Sequence, residues 1–162
     1  MTVKPANHSY RRRTTGTSLT GGKGMGYVYA DIELTSEDDI ALNQRGFLPE
    51  DEIRRVTCRA LVDSGAWDLV INKDVQKRLN LRVLGRGTVQ MADETWLDVD
   101  IVGPVEVRFE NRATTVRAVV LPQTSEVLLG AFPLEGLDAF IDPKGERLLV
   151  NPDDIRTVKR VA

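Results

Sequence analysis

Apolar and polar residues alternate along much of this chain, and short polar turns separate the alternating stretches. In Tyr27 to Leu34 every second residue is apolar, and Arg55 to Val62 repeats the pattern. A period of two predicts β-strands with one buried face. Further short strands are predicted at residues 68–71, 88–91, 95–101, 105–109, 116–120, 139–141 and 147–150. The chain is therefore rich in short strands joined by turns.

Three other segments carry helix signals. Ser36 can cap a helix with an acidic first turn that stops at Gly46, and Asn72 can cap a helix over residues 73–79. Pro133 suits the first turn of a short helix that ends at Leu137. Many short strands with two or three short helices predict an all-β fold, here a closed barrel of six or seven strands.

Composition adds the domain organisation. A chain of 162 residues with 41% hydrophobic and 28% charged residues is long enough for one core. Residues 1–24 hold five basic residues and no acidic ones, so the net charge of −2 leaves −7 on the remainder. We predict a flexible basic tail at 1–24, one folded domain at 25–152 and a C-terminal extension at 153–162. The overall charge gives no reason to expect nucleic acid as a partner.

The rare residues disfavour several classes of function. His8, the only histidine, lies in the predicted tail, so the folded domain has no imidazole to activate a nucleophile and no cluster of histidines and cysteines for zinc. No metal or organic cofactor is expected. Cys58, the only cysteine, is predicted to be a core residue in a reducing, cytoplasmic compartment. The sequence has no apolar run of 18 residues and no signal peptide, so neither membrane insertion nor export is expected.

One carboxylate stands out from this background. Asp63 follows the apolar end of the strand at residues 55–62, within the sequence Ala60-Leu-Val-Asp-Ser-Gly-Ala66. Asp-Ser-Gly is also ordinary turn chemistry, with Asp bonding its own backbone. A carboxylate at a strand end becomes an acid/base when a second one lies so close that the two share a proton. The chain has one such tripeptide, so a second carboxylate would come from a second copy.

The segment Ala60 to Ala66, with the later Val127-Leu-Leu-Gly130, resembles the single-lobed retropepsin-like aspartic proteases, particularly their small bacterial members. The resemblance covers residues 25–152. It implies a homodimer in which Asp63 of each protomer acts on one shared water. Ser64 would tie the two loops together, and Gly65 would let the backbone approach a peptide or protein substrate.

The resemblance also implies a substrate cleft closed by a flap, the hairpin that turns at residues 92–94. The candidate substrate-binding residues are Ala66, Trp67, Asp68, Met91, Ala92, Asp93, Trp96 and Gly130. For Met91 and Trp96, contact with substrate and simple coverage of the barrel remain open alternatives. Retroviral members commonly have an Asp and an Arg, as an ion pair, where this chain has Trp67 and Ala131. Asp68 is a candidate for part of that role.

These observations favour an aspartic endopeptidase that acts as a homodimer. A non-catalytic dimeric module that binds a peptide or protein in the same cleft is the alternative, and hydrolysis of peptides distinguishes the two. A third possibility is that the chain removes its own basic tail near the glycine-rich residues 21–24.

Overall fold

The computed structural model describes residues 26–122 and 126–152. Within these residues the chain forms β1 (Tyr29–Ser36), α1 (Glu37–Gln44), β2 (Arg55–Val62), β3 (Leu69–Ile71), α2 (Lys73–Leu79), β4 (Arg82–Gln90), β5 (Trp96–Phe109), β6 (Arg112–Val120), β7 (Val127–Leu129), α3 (Ala131–Leu137), β8 (Ala139–Asp142) and β9 (Arg147–Val150). A short 3-10 turn at Glu50–Glu52 lies between α1 and β2. The predicted mostly β class, with short helices, is confirmed.

Six of the strands close into a barrel, as predicted. Hydrogen bonds join them in the order β1-β2-β7-β3-β6-β5, and β5 pairs with β1 to complete the ring. The closing pairs place Glu33 to Ser36 of β1 against Val105 to Arg108 of β5. The β2–β7 and β3–β6 pairs are parallel, while the other pairs of the ring are antiparallel. Closure removes the free edges that a sheet of this size would otherwise expose.

The alternation in the sequence places apolar side chains inside this ring. Ile32 and Leu34 of β1, Leu69 of β3 and Leu129 of β7 are all at most 1% exposed there. Leu79 of α2 is fully buried in the same core. We call this core the barrel interior. Burial of side chains of this size contributes about 1.5–3 kcal/mol each, relative to leaving them exposed.

The helices begin where their caps predicted. The Ser36 hydroxyl accepts the Asp39 amide at 3.3 Å, and Gly46 has a positive φ of 82° just after α1. The Asn72 carboxamide oxygen accepts the Val75 amide at 2.9 Å at the start of α2. Each bond satisfies an amide that the first helical turn leaves without a partner in the helix. The start of α3 differs, because its first amides bind carbonyls of the turn that follows β2.

Several predicted strand bounds need correction, and two differ most. The strand predicted at 88–91 begins six residues earlier, at Arg82. The separate strands predicted at 95–101 and 105–109 form one strand, β5, with a register shift between Val102 and Val105. Gly103 and Pro104 interrupt the alternation there, which made the strand look broken in the sequence. The two halves of β5 have different neighbours, because the first pairs with β4 and the second with β1.

The strands β8 and β9 form a separate two-stranded sheet around the predicted turn at residues 142–145. The Asp142 carboxylate accepts the Lys144 amide at 3.0 Å and stabilises that turn. Leu148 packs into the barrel interior. The Arg112 guanidinium is buried, donates to the Asn151 carbonyl and pairs with Asp138 at 3.7 Å, so it fastens the end of β9 to β6.

The predicted tail at 1–24 and extension at 153–162 lie outside the described residues. In the part of the chain that the structure describes, no helix is long and apolar enough to cross a membrane.

Candidate active site

Asp63 lies in the turn of residues 63–68, between β2 and β3. We call this candidate site the active-site turn. The Asp63 side chain is largely buried, since the residue is only 7% exposed. The carboxylate accepts the Gly65 amide at 3.0 Å, and the Asp63 amide donates to the Leu129 carbonyl of β7 at 3.0 Å. The Ala66 amide in turn donates to the Asp63 carbonyl at 3.1 Å. The two motifs singled out in the sequence therefore meet in space, with Asp63 fixed from both sides.

The beginning of α3 holds the far side of this turn. The Ala131 amide donates to the Ala66 carbonyl at 2.8 Å, and the Phe132 amide donates to the Trp67 carbonyl at 2.9 Å. These are amides that the first helical turn cannot satisfy itself. Gly130 makes the close approach possible, because a Cβ at this position would lie 2.3 Å from the Asp68 carbonyl oxygen and 2.8 Å from that of Ala66. The glycine is therefore required by backbone contact with the turn.

The outer part of the turn is open to solvent. Ser64 is exposed and Gly65 is half-buried. They directly follow Asp63, in the one Asp-Ser-Gly sequence of this chain. The contact predicted for Ser64 is with a second copy of the chain, so it remains a prediction.

A side-chain ion pair fixes the last residue of the turn. Asp68 is buried, and its carboxylate receives Arg117 Nε at 3.3 Å and Nη2 at 3.5 Å. Arg117 lies on β6, between the buried Val116 and Ala118. Its side chain is 39% exposed and leans onto Asp68, which follows from the parallel pairing of Leu69 with Ala118 one residue further on.

Two aromatic rings lie at and beside the positions where the resemblance to retroviral proteases would place an ion pair. The rings of Trp67 and Phe132 lie 5.8 Å apart, tilted by 35°. Both are partly exposed, and the backbone bond between them ties the turn to α3. Ala131 sits between this ring contact and Gly130. Aromatic packing therefore lies beside the turn in place of that ion pair.

The hairpin of β4 and β5 covers a second apolar cluster outside the ring. We call it the hairpin cluster, and it consists of Leu61, Ala66, Val70, Val89, Val99, Val119, Leu121 and Leu128, with Tyr29, Met91 and Leu97 packed against it. Ala66 belongs to the active-site turn, so the cluster begins beside Asp63. Met91 and Leu97 come from the tip of the hairpin. The hairpin predicted to be the flap thus packs on the outer face of the barrel strands, which we call the floor, next to the turn.

The other candidate residues of the hairpin point away from this floor. Leu97 and Val99 face the cluster, so alternation along β5 puts Trp96 on the opposite face, where it is 60% exposed. Ala92 and Asp93 are exposed at the tip. The structure therefore packs Met91 against the hairpin cluster, which includes Ala66, and leaves Trp96 on the outside of the hairpin.

Hydrogen bonds give the hairpin tip a defined shape. The Asp93 carboxylate accepts both the hydroxyl of Thr95, at 2.5 Å, and its amide, at 3.1 Å. These bonds lower the pKa of Asp93 from its ordinary value. The Met91 amide donates to the Thr95 carbonyl at 2.8 Å, and Glu94 takes the positive φ of 68° that the tight turn requires. The tip is built from side chains and does not depend on the glycines common in flaps.

The family model described as aspartyl protease matches residues 51–131, which is half of the chain and includes both motifs. The chain belongs to the aspartyl protease family. A search of curated proteins gave no significant match.

Solved structures support the fold of this aspartyl protease family member. The retroviral protease-like domain of Ddi1 from Leishmania major matches with a TM-score of 0.50 and 20% identity, over 82% of this chain and 92% of that one. This likeness confirms a retropepsin-like fold. A Legionella pneumophila protein of unknown function matches at a TM-score of 0.36 and 14% identity, over 76% of this chain and 95% of that one.

The residues that form the floor were not among the candidates predicted from the sequence. Leu61, Val70 and Leu128 face outward from β2, β3 and β7 into the hairpin cluster. A signal was present, because β3 and β7 are apolar at every position, which is typical of strands buried on both faces. Strands of that kind require cover on the outside of the barrel. Here the aspartyl protease hairpin supplies it.

The thiol of Cys58 lies on β2, five residues before Asp63 in the sequence. Burial raises the pKa of the Cys58 thiol to about 11, as the predicted core position implies. No group of three or more His, Cys, Asp or Glu side chains within residues 26–122 and 126–152 is arranged to hold a metal ion.

Proposed function

We propose that this chain is an aspartic endopeptidase that acts as a homodimer. The observation that carries the proposal is the position of Asp63, a largely buried residue whose carboxylate accepts the Gly65 amide and whose own amide donates to the Leu129 carbonyl. The turn that bears it lies beside an apolar floor under a hairpin. A carboxylate in this setting is oriented by the fold and partly shielded from water, which suits an acid/base group.

The chemistry needs two such carboxylates. One Asp63, ionised, takes a proton from a water molecule as the water oxygen attacks the carbonyl carbon of the peptide bond. The second Asp63, protonated, gives its proton to the carbonyl oxygen. The first Asp63 then gives the proton that it took from water to the amide nitrogen, an intermediate hydroxyl returns a proton to the second Asp63, and the carbon–nitrogen bond breaks. Two like charges at close range favour one shared proton, which supplies both forms at once.

A second copy of the chain is the source proposed for the second carboxylate. The described residues contain one Asp-Ser-Gly turn, and Ser64 lies exposed on its outer side, where a symmetric copy would meet it. The apolar hairpin cluster is proposed to carry side chains of an extended peptide. Closure of the hairpin would then exclude water, so that the carboxylates act in a medium of low dielectric constant.

The test is replacement of Asp63 by Asn, assayed with a broad peptide library between pH 3 and pH 8. We expect wild-type protein to cleave with a bell-shaped pH profile that peaks on the acidic side of neutrality, and D63N to lose at least about 100-fold of the rate. Asp31→Asn, an exposed carboxylate of β1, is the matched control and should cleave normally. Equal cleavage by D63N and wild type would contradict the proposal.

Sedimentation of the same samples completes the test. The active wild-type protein should sediment as a dimer at micromolar concentration, because half of a shared site cannot work alone. A stable dimer that binds library peptides without cleaving them would instead identify the non-catalytic binding module.

A further inference from the structure

The ion pair between Asp68 and Arg117 joins the active-site turn to a strand outside both family motifs. Asp68 is the last residue of the turn before β3, and Arg117 lies opposite it on β6. The guanidinium contacts both carboxylate oxygens, at 3.3 and 3.5 Å. Such a two-point contact fixes orientation as well as distance.

Backbone hydrogen bonds hold other parts of the turn. Asp63 is held by Leu129, and Ala66 and Trp67 are held by the first amides of α3. Asp68 contributes its carbonyl to the close contact with Gly130, while its side chain, 4% exposed, reaches Arg117. Arg117 therefore controls the end of the turn opposite to Asp63.

We propose that Arg117 is a positioning residue for hydrolysis, which acts through Asp68 to hold the active-site turn. The inference rests on the proposed function. Because the turn is short and fixed at both ends, movement of Asp68 would shift the Ala66 and Trp67 carbonyls that α3 grips, and with them Asp63. Misplacement of a reacting group by about 1 Å can cost as much as 100-fold in rate.

The chain contains a matched ion pair far from the turn. Arg54 contacts Asp39 of α1 at 3.3 Å, with side chains that are 46% and 6% exposed, against 39% and 4% for Arg117 and Asp68. Loss of the guanidinium should therefore have an effect of similar size in the two pairs, and in R54A Asp39 still accepts the backbone amide of residue 54, which lies at 3.0 Å. Of the two, only the pair of Arg117 and Asp68 includes a residue of the active-site turn.

The experiment compares Arg117→Ala with Arg54→Ala in the full-length protein. We expect similar small shifts of the urea midpoint for both, but a fall in kcat of about 10-fold or more for R117A with KM changed less than twofold. R54A should keep the wild-type kcat. Arg117→Lys, which keeps the charge but contacts only at one point, should recover part of kcat. These assays are made well below the unfolding temperature of each variant.

A double-mutant cycle supplies a second measurement. If Arg117 acts through Asp68, R117A combined with Asp68→Asn should lower kcat no further than the worse single variant. Wild-type cleavage that depends on Asp63, together with equal kcat for R117A and R54A, overturns the positioning role alone. If the wild type shows no cleavage that depends on Asp63, the proposed function falls and the positioning role falls with it.

Discussion

The barrel interior and the hairpin cluster are both apolar, but the fold covers them in different ways. The interior is enclosed by a ring in which each of the six strands pairs with two neighbours. The hairpin cluster lies outside that ring and is covered by β4 and the first half of β5, and β4 pairs only with β5 among the described strands. We therefore expect the hairpin to open at a lower free energy than the ring.

The two apolar regions therefore have different expected roles, since the barrel interior stabilises the fold and the hairpin cluster is the surface proposed to bind substrate. A cover attached through one strand can open at a lower free energy than the global unfolding transition. Substrate contact requires such a surface, since a site must become accessible without loss of the fold. The active-site turn lies at the boundary, because Ala66 packs into the hairpin cluster while Leu129, which accepts the Asp63 amide, packs into the barrel interior.

The largest effect is expected from two consecutive leucines of β7. Leu129 is fully buried in the barrel interior and Leu128 is 3% exposed in the hairpin cluster. Leu129→Ala should lower the free energy of unfolding by about 4 kcal/mol, because the closed ring cannot collapse onto the cavity. Leu128→Ala should cost about 2 kcal/mol, because the hairpin can settle inward. Urea unfolding measures both values.

Enzyme kinetics on the same leucine variants completes the comparison. L128A is expected to raise KM for peptides more than L129A does, because only Leu128 faces the proposed substrate surface. Equal losses of stability, with equal KM values, would contradict the distinction between the two cores.

A somewhat smaller effect on stability is expected at the boundary itself. Gly130→Ala should cost about 3 kcal/mol, the upper end for overpacking, because the new Cβ would overlap the Ala66 and Asp68 carbonyls. Hydrolysis should fall further than stability, since the turn that carries Asp63 must move. Gly85→Ala is the control, because a Cβ there has open space and an ordinary φ. Unfolding and peptide cleavage by G130A similar to those of G85A would refute this account of Gly130.

The smallest effect concerns the thiol in the wall of the ring. Because burial raises the pKa of Cys58 from 9.0 to about 11, the folded protein disfavours the thiolate. The associated stability is present below pH 9 and is lost as the pH rises through 11. The urea midpoint of wild type should therefore fall between pH 9 and pH 11 by more than that of Cys58→Ala. Equal slopes for the two proteins in that window would show that Cys58 is not buried in this way.

Local patterns predicted much of the fold because they depend on neighbouring residues. The alternation in residues 55–62 gave the bounds of β2, and Asn72 gave the start of α2, as the structure has them. The break at Gly103 and Pro104 misled the strand assignment, because the sequence does not show that β6 runs alongside both halves of β5. The hairpin, its turn and the barrel class were predictable for the same local reasons.

The candidate site was predictable only in part. Asp63 and Gly130 were found through their motifs, and the structure places their segments in contact. The Asp68–Arg117 pair could not be found from spacing, because it depends on the pairing of β3 with β6, which are separated in sequence by 40 residues between Ile71 and Arg112. The outward side of Trp96 likewise depends on which face of the hairpin meets the barrel.

The sequence by itself determined where strands, turns and caps lie and which carboxylate ends a strand, because each of these follows from side chains a few residues apart. The tertiary structure decided how the ring closes, which apolar faces meet under the hairpin and that Arg117 reaches Asp68. These features arise from contacts between distant segments, whose free energy is gained only when the whole barrel forms.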